Sequence, residues 1–269
     1  MTPLVTMIAV ALLAALTLGV VLALRLEHPW LQPWALLRAV VQLGILSLIL
    51  NGVISNRWWV AIFLAVMVAA ATWVIFRRLR VAPRYLPALA GTVIGASAVP
   101  LVVVFATGAV DFSPRYLLAL GGIVIGNTMT VCTLTGRSLG SLYLSQRDEM
   151  EAWLSLGATP RQSALRAVRS AASTALIPST DQTRTTGIVT LPGAFVGAVF
   201  AGASPIQAAQ FQIVVLAAIL AAGALSAASF SGIFGAPEVL SLDESPLGER
   251  RFRSFSGASN SAENSQIGS

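Results

Sequence analysis

Apolar residues run along this chain in blocks too long and too uniform to be the faces of soluble helices. About 20 apolar residues cross a hydrocarbon core. Seven blocks approach that length, at roughly 5–24, 35–55, 58–76, 88–107, 116–135, 186–203 and 206–230. The sixth is the shortest and carries Pro192. One long polar interval, from Gln146 to Pro192, interrupts the series and bears Arg147, Arg161, Arg166, Arg169 and Arg184. The pattern predicts an all-α polytopic membrane protein of about seven transmembrane helices, filling residues 1–240. From Ser241 to Ser269 the composition turns to Ser, Gly, Asn, Glu and Arg, which reads as a disordered, solvated tail.

Within the polar interval the periodicity changes. Met150, Trp153, Leu154 and Leu156 recur at nearly helical spacing, with Asp148, Glu149 and Glu151 on the other side. Gly157 is a stop signal. Thr159, Pro160 and Gln162 then form a T-x-x-Q capping box with proline at the first helical position. The helix it starts runs through Leu165, Arg166, Val168 and Arg169 and is predicted to end before Pro178. The interval therefore reads as helix, sharp bend, helix: a rigid knob within a coupling region at 137–185. Two readings are open. One is an interfacial helix on lipid, its arginines on headgroups. The other is a docking element whose Trp153 fills a cleft on a soluble partner, since aromatics and arginine are enriched at interface centres.

Charge orients the bundle. With the N-terminus outside, Arg25, Arg38, Arg77, Arg78, Arg80, Arg84, Arg137 and the arginines of the polar interval all fall inside, as do Arg250, Arg251 and Arg253. Only Arg57 and Arg115 lie outside, which satisfies the positive-inside rule and puts the knob and the C-terminus in the cytoplasm. Trp30, Trp34, Trp58 and Trp59 stand at block edges, as interfacial aromatics do. This arrangement accounts for the basic balance (pI about 10.9) without nucleic acid. Composition agrees with a membrane setting: 56% of residues are hydrophobic and 10% charged, against about 25% charged in soluble domains. The first residues carry no positive run, so the first block is expected to be a retained helix.

Every basic residue is arginine. Without lysine there is no G-x-x-x-x-G-K-[ST] phosphate loop and no lysine Schiff base. One histidine, His28, and one cysteine, Cys132, exclude an internal disulfide, an HExxH helix and a Cys/His zinc set. An enzyme is nearly excluded on the same grounds, and no cofactor is expected on this chain.

The segment Glu151-Ala152-Trp153-Leu154-Ser155-Leu156-Gly157 resembles the E-A-A-x-x-x-G loop of ABC-transporter permeases, with Trp153 at the second alanine. Its continuation is more specific. Leu156-Gly-Ala-Thr159-Pro160-Arg161, Ala175-Leu-Ile-Pro178, Gly187-Ile-Val-Thr-Leu-Pro-Gly193, Ala201-Gly-Ala-Ser-Pro205 and Gln210-Phe-Gln-Ile-Val214 resemble the FetB-type iron-export permease family, as do Gln42-Leu-Gly44 and Gly126-Asn-Thr-Met129 upstream. That family includes a plant aluminium-tolerance transporter subunit. The resemblance covers about residues 36–230 and implies a seven-helix permease in the plasma (inner) membrane. It also implies a homodimer paired with an ABC-type ATP-binding subunit that holds ATP and magnesium, and export of iron or another metal ion. The loop residues Glu151, Ala152, Trp153, Gly157, Thr159, Pro160 and Arg161 would couple to the ATPase. One departure stands out: the family pattern carries a methionine pair after L-P-G, where Ala194 and Phe195 stand here.

Polar groups inside spans are expensive and mark candidate pathways. Gln42 and Asn51 lie in the second block; Asn127 and Thr130 share one side of the fifth, with Met129 and Cys132 as its only soft atoms. Interhelical hydrogen bonding is the alternative role for each. Asp181 precedes the sixth block either as a helix N-cap or as a metal-access residue. Pro192 and Gly193 form a break that bends during gating or is a static kink. Asp111 and His28 read as solvated surface residues. A secondary transporter or channel that needs no ATPase is the competing class, although it would call for intramembrane acids or an inverted repeat.

Overall fold

The computed structural model describes residues 3–25, 28–54 and 57–236, with only the backbone of Pro3, Leu4, Asn51, Val53, Ile54 and Arg57. The expected tail, 241–269, lies outside the described residues. Among the described residues, ten α-helices follow in order: α1 Pro3–Ala23, α2 Leu31–Ile54, α3 Arg57–Leu79, α4 Leu86–Ala106, α5 Pro114–Ser145, α6 Arg147–Ser155, α7 Pro160–Ser163, α8 Leu165–Thr185, α9 Gly193–Phe200 and α10 Pro205–Phe234. A 3-10 turn, Pro83–Tyr85, leads into α4. Apart from one isolated bridge between Thr186 and Thr190, the described residues hold no β structure.

Two units divide the chain, Met1–Val60 and Ala61–Ser269. In the first, α1 and α2 pack against each other. The second holds the candidate site and is built around α5 and α10, each packed on α4 and α8. Helices α5 and α10 run parallel. Val215, Ala218 and Ile219 meet Leu120 and Val124 at one end, and Phe230 and Phe234 meet Leu139 and Tyr143 at the other. Helix α4 is antiparallel to both, its Leu89 and Val93 in the second of these groups and its Val104 in the first.

Close approach on α5 depends on missing side chains. A Cβ on Gly121 would fall 2.8 Å from Leu64, and one on Gly136 would fall 2.9 Å from Phe230 and collide with Leu79. Helices associate in lipid through such packing because burial from water supplies no drive there. At 1.5 Å per residue, the 32 residues of α5 span about 48 Å, well beyond a hydrocarbon core of about 30 Å. The end past Arg137 therefore projects beyond the membrane.

Among the described residues, six helices are long and apolar enough to cross a membrane: Val5–Ala23, Leu31–Leu50, Trp58–Leu79, Pro83–Ala106, Pro114–Ser145 and Pro205–Phe234. The sixth expected block, 186–203, is not among them. After α8 the chain turns at Gly187 (φ +86°), and Pro192, extended at ψ 140°, caps the eight-residue α9. Proline holds the residue before it extended, and this glycine conformation is one L-residues avoid. Pro192 thus starts a helix instead of bending one.

The polar interval also differs from expectation. Its second helix is broken at Ala164 into α7 and α8, and α8 continues through Pro178 to Thr185. Along α8 the buried residues are Ala167, Ala171, Ala175 and Ser179, a small residue at every fourth position. That stripe seats α8 against α5 and α10, and the packing outweighs the one backbone donor lost at Pro178.

Candidate functional site

The knob forms as a bent pair of caps. At the end of α6, Ala158 N–H donates to the Trp153 carbonyl and Gly157 N–H to the Leu154 carbonyl, both at 3.0 Å, which is a Schellman motif with Gly157 at φ +90°. Two residues later Thr159 and Gln162 complete a reciprocal capping box on α7, with Pro160 at its first position. Both devices are those expected from the sequence. Glu151 accepts from Arg147 Nε at 2.6 Å on α6, and Arg166 Nη1 donates to Glu149 at 3.3 Å, tying α8 back to α6. Ala152 is exposed on α6. Trp153, Leu156 and Leu165 are exposed around a groove of about 760 Å³ that Glu149, Arg166 and Arg169 also line. Leu156 is 81% exposed, so this is a standing apolar surface ringed by charge.

Arg161 does not join that surface. Its guanidinium donates to the Gly232 carbonyl of α10 at 2.8 Å, and the Tyr143 hydroxyl donates to the Phe234 carbonyl at the same distance. Two side chains from the knob end thus satisfy carbonyls that a helix C-terminus leaves open, and a cation there suits the helix dipole. The knob is wired to the last turn of α10. Tyr143 was invisible in the sequence, because nothing local marks a tyrosine that caps a helix 91 residues away.

A second polar region lies deeper. Asn127 and Thr130 of α5, expected on one side of that helix, do share one crevice, together with Leu134. Across it stand Ala175, Pro178, Ser179 and Gln182 of α8, around a volume of about 250 Å³. Asn127 Nδ2 donates to the Ile219 carbonyl of α10 at 3.0 Å, and Thr130 bonds back to the Gly126 carbonyl. Leu176 lies against Gly223, beside Asn127 and Val131. These contacts put residues 172–185 of α8 level with the apolar span of α5. The stretch expected as one cytoplasmic coupling region, 137–185, thus includes a part, from about Ala172, that packs alongside the apolar span of α5.

Asp181 is not an N-cap: it lies near the C-terminal end of α8, 3.9 Å from Arg184, and both side chains are exposed. Gly193 opens α9, which packs on α10. Gln42 is exposed on α2 of the first unit, and the Asn51 side chain lies outside the described residues. Met129 and Cys132 are elsewhere again, Cys132 fully buried and Met129 partly so in the apolar cluster with Ile75, Leu89 and Val93. Among the described residues no three His, Cys, Asp or Glu side chains gather as a metal cage.

Residues 4–235 match the uncharacterised protein family UPF0014. The chain belongs to this family. It is 32% identical over 195 residues to UPF0014 membrane protein STAR2 of Oryza sativa subsp. japonica, covering 72% of this chain and 68% of the relative. To the probable iron export permease protein FetB of Escherichia coli (strain K12) it is 30% identical over 196 residues, 72% of this chain and 75% of that one. To Protein ALUMINUM SENSITIVE 3 of Arabidopsis thaliana it is 30% identical over 191 residues, 70% of each. No solved structure matches the chain. Membership and the six apolar helices make it a multi-pass membrane protein.

Proposed function

We propose that this chain is the membrane-spanning permease subunit of an ABC transporter, paired as a homodimer with a separate ATP-binding subunit and exporting iron or another metal ion across the plasma membrane. The observation that carries the reading is the knob: a doubly capped elbow with an exposed apolar surface at Trp153 and Leu156, on the end of the bundle that collects arginine. A surface of that kind on a helix pair suits a groove on a soluble partner. The positive-inside distribution favours the cytosol for it, where ATP is available. Having no lysine, the chain has no phosphate-loop lysine, so nucleotide hydrolysis falls to the partner. The metal cargo comes from the name of the Escherichia coli relative.

Movement of the docked partner would be transmitted through two contacts. Arg161 grips the Gly232 carbonyl of α10, and Arg166 with Glu149 holds α8 to α6. Helices α8 and α10 flank the crevice at Asn127, so a tilt of the knob reaches polar groups at membrane depth.

The test is reconstitution. Tagged chain extracted in detergent is expected to bring an ATP-binding subunit with it, and proteoliposomes holding both are expected to move iron only with ATP. Transport by this chain alone, at the same rate without nucleotide, would establish the ATPase-independent class instead.

A further inference from the structure

At the end of α5 opposite the knob, the loop between α4 and α5 is held from several sides. Gly108 turns the chain at φ +70°, and Val110 is buried in the apolar cluster with Leu120 and Val215. The Phe112 ring stands edge-on to Phe105, 5.3 Å between centroids, and Ser113 N–H donates to the Asp111 carbonyl at 2.8 Å. Asp111 therefore sits on a pinned loop, where it lines a pocket of about 350 Å³ closed by the starts of α5 and α10 and the end of α9. The polar side chains of that pocket are Asp111, Tyr116, Gln207 and Gln210, and none is basic. Gln207 Oε1 is taken by the Ser204 N–H in the cap of α10. One further polar group lies deeper. Gln212 is 6% exposed, and its Oε1 has no hydrogen-bond partner among the described residues. It follows Ala208, which lines the pocket, by one turn on the same buried face of α10. Side chains on a helix lean toward its N-terminus, which here is the pocket end, so the orphan oxygen leans toward the pocket. A buried acceptor without a partner is rare and calls for an occupant.

We propose that this pocket is a cation subsite at the outer mouth of the permease, where the Asp111 carboxylate and the amide oxygens of Gln210 and Gln212 hold a hard divalent cation before release. The inference rests on the permease reading, which puts this end outside, and deepens it by naming where cargo leaves. The site offers carboxylate, amide and phenol oxygens, the donor set of hard cations. Among the described residues no ion pair joins Asp111 to Arg115, the arginine at this end of α5, so its charge is open to a cation. The Tyr116 ring packs on Phe211 at 5.3 Å between centroids and steadies the wall beside it. One carboxylate makes the hold weak, and a site that must discharge its cation into water needs a weak hold. Cys132 and Met129, packed among apolar residues of another cluster, offer no soft alternative here.

The experiment uses the full chain in right-side-out membrane vesicles. Ala109→Cys, exposed on the pocket lining, is treated with a membrane-impermeant maleimide. Cys132, fully buried, stays in place, and the unmodified chain supplies the background. Ala109→Cys is expected to label, and manganese(II), a hard divalent ion stable in air, to slow that labelling. Adding Asp111→Asn is expected to raise the manganese concentration needed by about tenfold, equivalent to about 1.4 kcal/mol. Gln212→Leu is expected to do the same, while the melting midpoint of the metal-free chain in detergent rises because an unpaired buried oxygen is gone. That midpoint also shows that both variants fold. Protection at the parent level in Gln212→Leu means that its oxygen binds only water, and overturns the proposal. Unchanged protection in Asp111→Asn, or no labelling of Ala109→Cys from outside, overturns it as well. Protection as expected in a chain that never co-purifies with an ATP-binding subunit would retire the permease reading alone. ATP-driven transport with protection unchanged in Asp111→Asn would retire this site alone.

Discussion

Replacing Gly157 tests whether the bend of the knob, more than its composition, matters for docking. Its φ of +90° lies in the region L-residues avoid, at a cost of about 1–2 kcal/mol for a side chain with a Cβ. No atom lies within 4 Å of where that Cβ would stand, so the penalty is backbone strain alone, with no clash to confuse it. The strain falls on the two Schellman hydrogen bonds that join Trp153 and Leu154 to the elbow. If the bent form is what the partner binds, raising its energy by 1–2 kcal/mol weakens docking by roughly 5–30-fold. Affinity of purified chain for the purified ATP-binding subunit is the assay. The expected order of affinity is Gly157, then Gly157→Asn, Gly157→Ala and Gly157→Val, because Asn visits this region more readily and a β-branched residue least. Thermal unfolding of the bundle should barely move, since Gly157 is exposed and outside the helix core. Equal affinity for Gly157→Val and the parent would refute the reasoning.

Further outcomes follow from the same contacts. Arg161→Ala removes an exposed charged hydrogen bond to the Gly232 carbonyl, costing about 1 kcal/mol after allowance for solvent. It is expected to keep the partner bound and ATP hydrolysis running while the ratio of cargo moved to ATP consumed falls. Arg161→Lys, which retains a donor and the charge, should recover part of that ratio. Gly136→Leu would drive a side chain into Leu79 and Phe230 and destabilise the bundle by about 1–3 kcal/mol. A lower melting midpoint in detergent is the readout, with Gly126→Ala, which meets nothing within 4 Å, as the silent comparison.

Most of the bundle was legible because blocks of apolar residues leave few choices. The helices expected at 5–24, 35–55, 58–76, 88–107 and 206–230 correspond to α1, α2, α3, α4 and α10. Span 116–135 proved to be the apolar part of the longer α5, whose polar extension shows no break in composition strong enough to read. The knob was legible because capping is local chemistry: Gly157, Thr159, Pro160 and Gln162 announce themselves within a few residues. Helix α8 was misread for the opposite reason. Its depth depends on Ala167, Ala171, Ala175 and Ser179 fitting against α5 and α10, a tertiary fact, while Asp181 and Arg184 on its surface argue for water. The four-residue rhythm of small side chains was the available signal, and Pro178 masked it by suggesting a stop. Arg161 was placed correctly on the knob, but its direction toward Gly232 depends on where α10 ends.

The central claim is that the exposed elbow of α6 and α7 meets an ATP-binding protein in the cytosol. A photoreactive benzophenone amino acid at Leu156, 81% exposed at the tip of the elbow, tests it in living cells under near-ultraviolet light. The account predicts one major adduct, with an ATP-binding subunit identified by mass spectrometry, and no reaction of that site with reagents confined to the cell exterior. Adducts with lipid alone, or modification from outside, would contradict it.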